Sequence, residues 1–346
     1  GTLTFSGVGQ AVITITDYYF CKTATVTVNI VGAEKFDTNF VNYEEYLYRV
    51  GNADKSTVAL GTIFKHSGNG TINSTNVEVT FASVAGNASG TFTKNTSDWT
   101  KGTIQFTGTG VVKVTIKDAT SKEFVLYLEV VAATNAISAT DAKDKDVVLL
   151  NNIGSGFTVD NGHTVYGNGF TLNYTGDGRY LNNGLKQGVV MVQNGGTLDN
   201  LHIKASIYPT AFMYYGATQM GDYVQQSSNP REVEGDKTRY YYQLSAVATY
   251  GDATISNCYI YGGRTNIYVN TGDVTIKDTV LECGTVANIQ IQSKASHTIT
   301  LENLTTIQHQ VKATIGDTSK VMLGAGVIVG PDTEENPKIV LNGYFK

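Results

Sequence analysis

One short phrase recurs in the second half of this chain: an aliphatic residue, a spacer, Asn or Asp, two more residues, then a second β-favouring position. It reads Leu198-Asp-Asn200-Leu201-His-Ile203, Ile255-Ser-Asn257-Cys258-Tyr-Ile260, Ile276-Lys-Asp278-Thr279-Val-Leu281 and Leu301-Glu-Asn303-Leu304-Thr-Thr306. The last three copies are 21 and 25 residues apart, and a second pair of segments, Ile267–Val269 and Ile289–Ile291, repeats with a step of 22. A rung of twenty-odd residues is too small to bury its own apolar face. Such a period therefore requires that rungs stack on one another as parallel strands, a few short ones per rung. The Asn or Asp then falls at the same corner of each rung. With rungs about 4.8 Å apart, Asn257, Asp278 and Asn303 are expected to bridge neighbours through their side chains.

A longer repeat occupies the first third. GTLTFSGVGQAVITITD at Gly1 to Asp17 returns as GTIQFTGTGVVKVTIKD at Gly102 to Asp118, and after a one-residue slip Ala24, Val26, Val28 and Ile30 fall on Phe124, Leu126, Leu128 and Val130. Alternating strands punctuated by Gly turns, at a spacing near one hundred residues, predict tandem β-sandwich modules. Residues 1–32 read as the C-terminal part of such a module and residues 33–132 as a complete one, with the parallel stack over 133–346. The inner face of the first, partial module is expected to be uncovered unless another segment supplies its opening strands. By the same alignment a Lys would precede Gly1, and the chain ends at Lys346, so it reads as a fragment of a longer protein.

The closing pattern GTLTFSGVGQAVITITDYYFCKTATVTVNIV resembles the last strands of bacterial immunoglobulin-like (Big-type) domains, and the short-period phrase resembles the right-handed parallel β-helix of the pectate lyase-like group. Together these resemblances imply an all-β protein: immunoglobulin-like β-sandwich modules followed by a right-handed parallel β-helix. They also imply a secreted or cell-surface bacterial setting, in which the modules form a stalk and the helix presents a surface for adhesion or carbohydrate recognition. Polysaccharide lyases and glycoside hydrolases share the helical fold, so an enzyme is one alternative. A structural surface-array protein is another.

Composition agrees with β structure. Only 16% of residues are charged, and Gly (37) and Tyr (21) are abundant while Pro (4) is scarce. The net charge is -5 and no Lys/Arg cluster stands out, which argues against a nucleic-acid partner. No apolar run is long enough for a transmembrane segment. Cys21, Cys258 and Cys283 are too few and too scattered for a disulfide framework and are expected as free thiols.

Candidate site residues come from departures from the period. About forty residues between Ile203 and Ala246, the insertion near 206–245, break the rhythm and carry Tyr208, Tyr214, Tyr215, Tyr223, Arg239, Tyr240, Tyr241 and Tyr242. Long insertions project from one face of a solenoid, and Tyr combines a flat apolar ring with a hydrogen-bonding tip. With Arg264, expected to be exposed, these residues form the candidate binding surface for an extracellular carbohydrate or host-surface ligand. Asp252 and Asp273 sit in equivalent Gly-Asp turns one rung apart, a spacing suited to gripping calcium, though Gly-Asp is also ordinary turn chemistry. No cofactor is otherwise implied. The five histidines are isolated, no adjacent Asp pair appears, and no residue is singled out as catalytic.

Overall fold

In a computed structural model the protein is described at residues 3–4, 9–17, 22–30, 35–40, 47–67, 72, 75–118, 123–175, 179–181, 188–205, 231–234, 237–284, 287–291, 297–308, 311–315, 318–322, 325–329 and 337–346. It is an all-β chain in which the described helix is limited to single turns such as Leu60–Ile63 and Trp99–Lys101. Two compact units emerge, Gly1–Asn39 with Thr57–Leu128 and Phe40–Ser56 with Glu129–Lys346. Residues 40–56, which the repeat places in the module 33–132, thus pack with the C-terminal unit.

In the first unit every described strand pairing is antiparallel. Thr103–Thr107 lies between Thr57–Ala59 and Ser89–Thr93, and Gly110–Lys117 pairs with Glu78–Gly86. Alternation sets the inner face: Ile104 and Phe106 on one strand and Val112, Val114 and Ile116 on the other are buried, with the residues between them turned outward. Trp99 plugs this core. Its indole meets the Phe36 ring edge-on at 5.4 Å, and Asp98 caps the turn beneath it by accepting from the Thr100 backbone N–H at 3.0 Å. The strands Gly9–Asp17 and Lys22–Ile30 form a separate two-stranded sheet.

In the second unit the pairings are mainly parallel, and the chain visits three sheets in rotation. The first sheet stacks Thr134–Ala136, Val147–Leu149, Thr164–Tyr166, Gly196–Asp199, Ala253–Ser256, Val274–Lys277, the start of Thr298–Ile307, and Lys338–Phe345. The second runs Thr171–Asn173, His202–Lys204, Tyr259–Tyr261, Val280–Glu282 and the end of Thr298–Ile307. The third runs Phe157–Val159, Gly188–Gln193, Ser245–Tyr250, Thr265–Thr271, Ala287–Ile291 and Ala325–Val329. Large parallel sheets visited in this order are consistent with a β-helix.

The repeated phrase lies where its period requires. Val165, Leu198, Ile255, Ile276 and Leu301 are register partners in one column, all buried. Val190, Val247, Ile267 and Ile289 make a second column from the third sheet. The corner residues Asn200, Asn257, Asp278 and Asn303 all adopt positive φ, between 49° and 54°. Asn and Asp tolerate this left-handed conformation better than other residues with a Cβ, which explains their place in the phrase. Asn303 Nδ2 donates to Asp278 Oδ1 at 2.9 Å, the expected bridge, whereas Asn257 Nδ2 reaches past its counterpart to Asp199 Oδ1 at 2.7 Å.

A second amide ladder lies inside the coil. Asn288 Nδ2 donates to Asn266 Oδ1 at 2.9 Å, and Gln308 Nε2 donates to Asn288 Oδ1. Both asparagines are fully buried, and their remaining donors are taken by the carbonyls of Gly262, Glu282 and Leu281. Buried amides are tolerated because each finds a partner.

The strand Tyr48–Gly51 is held in this unit by two side-chain amides. Asn168 accepts from Arg49 N and donates to Arg49 O, both at 2.9 Å, and Asn135 does the same for Gly51 at 2.7 and 2.8 Å. The Arg49 guanidinium then bridges Glu129 (2.9 Å) and Asp199 (2.7 Å) above the Tyr166 ring.

Candidate functional site

A hairpin, Val311–Ile315 with Thr318–Met322, leaves the coil between the second and third sheets after Ile307, and two excursions leave on the same side in earlier turns. One departs after Asn173 and rejoins at Gly188; the other departs after Lys204 and rejoins near Leu244. Their described parts join each other: Arg179–Leu181 pairs antiparallel with Lys237–Gln243, which pairs in turn with Arg231–Glu234. At their roots lies a cavity of about 550 Å³. Glycine lets two of its lining segments approach neighbouring backbone closely: a Cβ at Gly156 would stand 2.1 Å from Val189 O, and one at Gly188 would stand 2.6 Å from Ala248 N.

The cavity lining has an apolar part and a polar part. Phe157, Val189, Met191 and Leu244 supply the first. The second comprises Asp141, Lys143, Ser155, Thr158, Tyr174 and Thr175. Asp141 organises it, since one oxygen accepts from Thr158 N at 2.7 Å and the other holds the Lys143 ammonium at 3.0 Å. The hydrogen bond from Lys143, with the carboxylate's charge, holds the Lys143 pKa above its usual value. Among the described residues that line the cavity, Asp141 is the one carboxylate.

From this cavity a polar column runs along the coil on the outer face of the second sheet. Asn173, Lys204, Tyr261 and Glu282 are successive register partners, so they span roughly 14 Å at the usual strand spacing. The parallel column carries His202 and Tyr259, whose rings lie 5.7 Å apart. The Tyr259 hydroxyl donates to the Glu282 carboxylate, and partial burial followed by that contact pushes its pKa to about 12. Burial, aided by Lys204, lowers the His202 pKa. A neutral imidazole, a neutral phenol, an ammonium and a carboxylate thus line one flat strip.

The residues expected from sequence fare differently from one another. Tyr208, Tyr214, Tyr215 and Tyr223 lie outside the described residues, as does Cys21. Arg239, Tyr240, Tyr241 and Tyr242 fall in the strand Lys237–Gln243, with Arg239 opposite Glu232, Tyr240 opposite Arg231, Tyr241 opposite Leu181 and Tyr242 opposite Tyr180. Arg264 is not exposed as expected but buried. Gly262 and Gly263 both take positive φ, and the turn they make brings the Arg264 backbone N–H to Leu244 O at 3.0 Å, under the point where the second excursion rejoins.

Asp252 and Asp273 are brought one rung apart, but in a capping arrangement. Asp252 Oδ1 accepts from Asp273 N at 2.9 Å, and Asp273 Oδ1 accepts from Thr298 N at 2.7 Å. Asp146 repeats the device by accepting from Thr164 N at 3.0 Å. Among the described residues no group of three or more His, Cys, Asp or Glu side chains is gathered as a metal would require, and no helix is long and apolar enough to cross a membrane. Cys258 and Cys283 are free and buried. The cavity residues Asp141, Lys143 and Tyr174 were not singled out from sequence. Their one visible signal was the polar run from Asp141 to Asp146 ahead of the first regular rungs. No protein-family model matches the chain, and neither a curated protein nor a solved structure does so.

Proposed function

We propose that this is a secreted or cell-surface bacterial protein in which immunoglobulin-like modules carry a right-handed parallel β-helix, and that the helix recognises an extracellular carbohydrate or host-surface ligand. The observation that carries this reading is the amphipathic cavity at the roots of the two excursions, continued by the Asn173–Lys204–Tyr261–Glu282 column. A saccharide needs an apolar ring face to rest on and fixed donors and acceptors at its rim, and Phe157, Tyr174, Lys143 and Asp141 offer both in one place. The column would extend the contact to neighbouring sugar units. Right-handedness is the strong rule for parallel crossovers.

The test is a glycan array probed with the full chain, followed by titration of each hit against Tyr174→Ala and Lys143→Ala. Binding should fall at least tenfold in both variants while the urea midpoint stays unchanged. Array binding insensitive to both substitutions would remove the cavity from consideration. Release of unsaturated oligosaccharides from any bound polymer would instead make the site that of a lyase.

A further inference from the structure

The long repeat gives two copies of one β-hairpin, and the structure leaves apolar residues of one of them exposed. In the second copy Ile104 and Ile116 are fully buried and Leu126 is 3% exposed; their counterparts Leu3, Ile15 and Val26 are 64%, 59% and 48% exposed. Ala11 and Ile13 are half-buried where Val112 and Val114 are fully buried. The same sequence pattern is therefore buried in one copy and partly open to solvent in the other. What differs is the company. Gly110–Lys117 has Glu78–Gly86 on its edge, and Thr103–Thr107 lies between Thr57–Ala59 and Ser89–Thr93. Among the described residues Gly9–Asp17 pairs with Lys22–Ile30 alone.

We infer that the hairpin Gly9–Ile30 is a docking site for a β-segment with the strand pattern of residues 57–93. One strand of the Glu78–Gly86 kind adds antiparallel to the open edge of Gly9–Asp17, and a sheet of the Thr57–Ala59 and Ser89–Thr93 kind closes over Leu3, Ala11, Ile13 and Ile15. The edge is built to accept it. Ala11 to Thr16 contains no charge and no Pro, the two devices by which edge strands ordinarily refuse a partner. A two-stranded ribbon with apolar residues on an open face is also marginal by itself, so the docking segment supplies the burial that the repeat's pattern presupposes. This inference rests on the repeat and the exposed positions, and is independent of whether the C-terminal unit binds carbohydrate.

The test joins a second copy of residues 33–101 directly ahead of Gly1 of the full chain, recreating the Lys101–Gly102 junction, and follows amide hydrogen exchange. The amides of Gly9–Asp17 that do not bond to Lys22–Ile30 should slow at least tenfold, approaching those of Gly110–Lys117. Val79→Asp in the added copy alone, which leaves residues 1–346 untouched, should abolish that slowing. Unchanged exchange in the extended chain, or slowing that survives Val79→Asp, overturns the inference. So does a concentration-dependent dimer of the unextended chain in sedimentation velocity that Ile13→Asp abolishes, because the occupant would then be a second copy of the hairpin.

Discussion

Replacing Asn257 tests the corner of the coil, because its side chain and its backbone do separate jobs there. The amide donates to Asp199 Oδ1 at 2.7 Å, and the backbone sits at φ 54°. Asn257→Gly removes the first and keeps the second. A hydrogen bond to a charged acceptor contributes about 1.5–3 kcal/mol, and because Ser256 Oγ (2.7 Å) and Arg49 (2.7 Å) still hold the carboxylate, the lower end applies. Asn257→Ala loses the same bond and adds a left-handed penalty of about 1–2 kcal/mol. Against this, Ala restricts the unfolded chain more than Gly does, which returns about 0.4–1 kcal/mol. The Gly variant should therefore be the more stable of the two by about 0.8 kcal/mol, roughly fourfold in the unfolding constant.

Urea unfolding followed by circular dichroism, with hydrogen exchange on Ala253–Tyr261 to isolate the local event, reads this difference directly. Asn257→Asp should be worse than either at neutral pH, since it sets a second carboxylate against Asp199. Protonation of either carboxyl relieves that repulsion, so the deficit should shrink as pH falls through the carboxylate range. If Ala equals or exceeds Gly, the left-handed corner is not what selects Asn in the repeated phrase, and the explanation of the period fails with it.

The same column predicts opposite outcomes at its middle and its end: Ile276→Ala should cost about 2–5 kcal/mol by opening a cavity, whereas Leu341→Ala, at a register-equivalent position that is 62% exposed, should change stability by less than about 0.5 kcal/mol in the same urea assay. Burial pushes the Cys258 thiol up to about 12, so at pH 8 roughly one molecule in ten thousand carries the thiolate, and alkylation of the native protein mapped by mass spectrometry should leave Cys258 unmodified until denaturant is added. Arg49→Ala removes both carboxylate contacts from the strand Tyr48–Gly51, and limited proteolysis should then cut within residues 40–56 faster than in the parent while the coil stays intact. Asn288→Ala leaves Asn266 Oδ1 and Leu281 O without their donor inside the coil and should cost about 1–3 kcal/mol, more than the exposed Asn303→Ala substitution costs through its hydrogen bond.

What could be read in the sequence follows the reach of each contact. Ile255, Ile276 and Leu301 were legible because a rung touches only the next rung, so spatial neighbours keep a fixed sequence step. The corner residues were legible for the same reason. The inner amide ladder repeats just as regularly, Asn266 to Asn288, but Asn next to an apolar run reads as a turn, and only the structure puts it indoors. Arg264 failed the other way, because charge implies exposure until two positive-φ glycines fold the chain over it. Arg49 was beyond reach: its partners lie 80 and 150 residues away, and nothing periodic links them.

The same logic explains why the cavity stayed hidden while the ladder that positions it did not. Its walls come from Asp141 and Lys143 before the first regular rungs, from the Gly154–Gly156 turn, and from the ends of two excursions of unequal length, so no single step relates Lys143, Tyr174, Gly188 and Leu244. A solenoid is regular where it is merely stable, and ligand chemistry enters where an insertion interrupts the stacking. In this chain two of the interruptions fall in consecutive turns on one side, after Asn173 and after Lys204, and they pair with each other through Tyr241 and Leu181. The cavity lies at the roots of both, lined by Tyr174 and Thr175 where the first departs, by Gly188 and Val189 where it rejoins and by Leu244 where the second rejoins, which is why a recognition site is to be sought there.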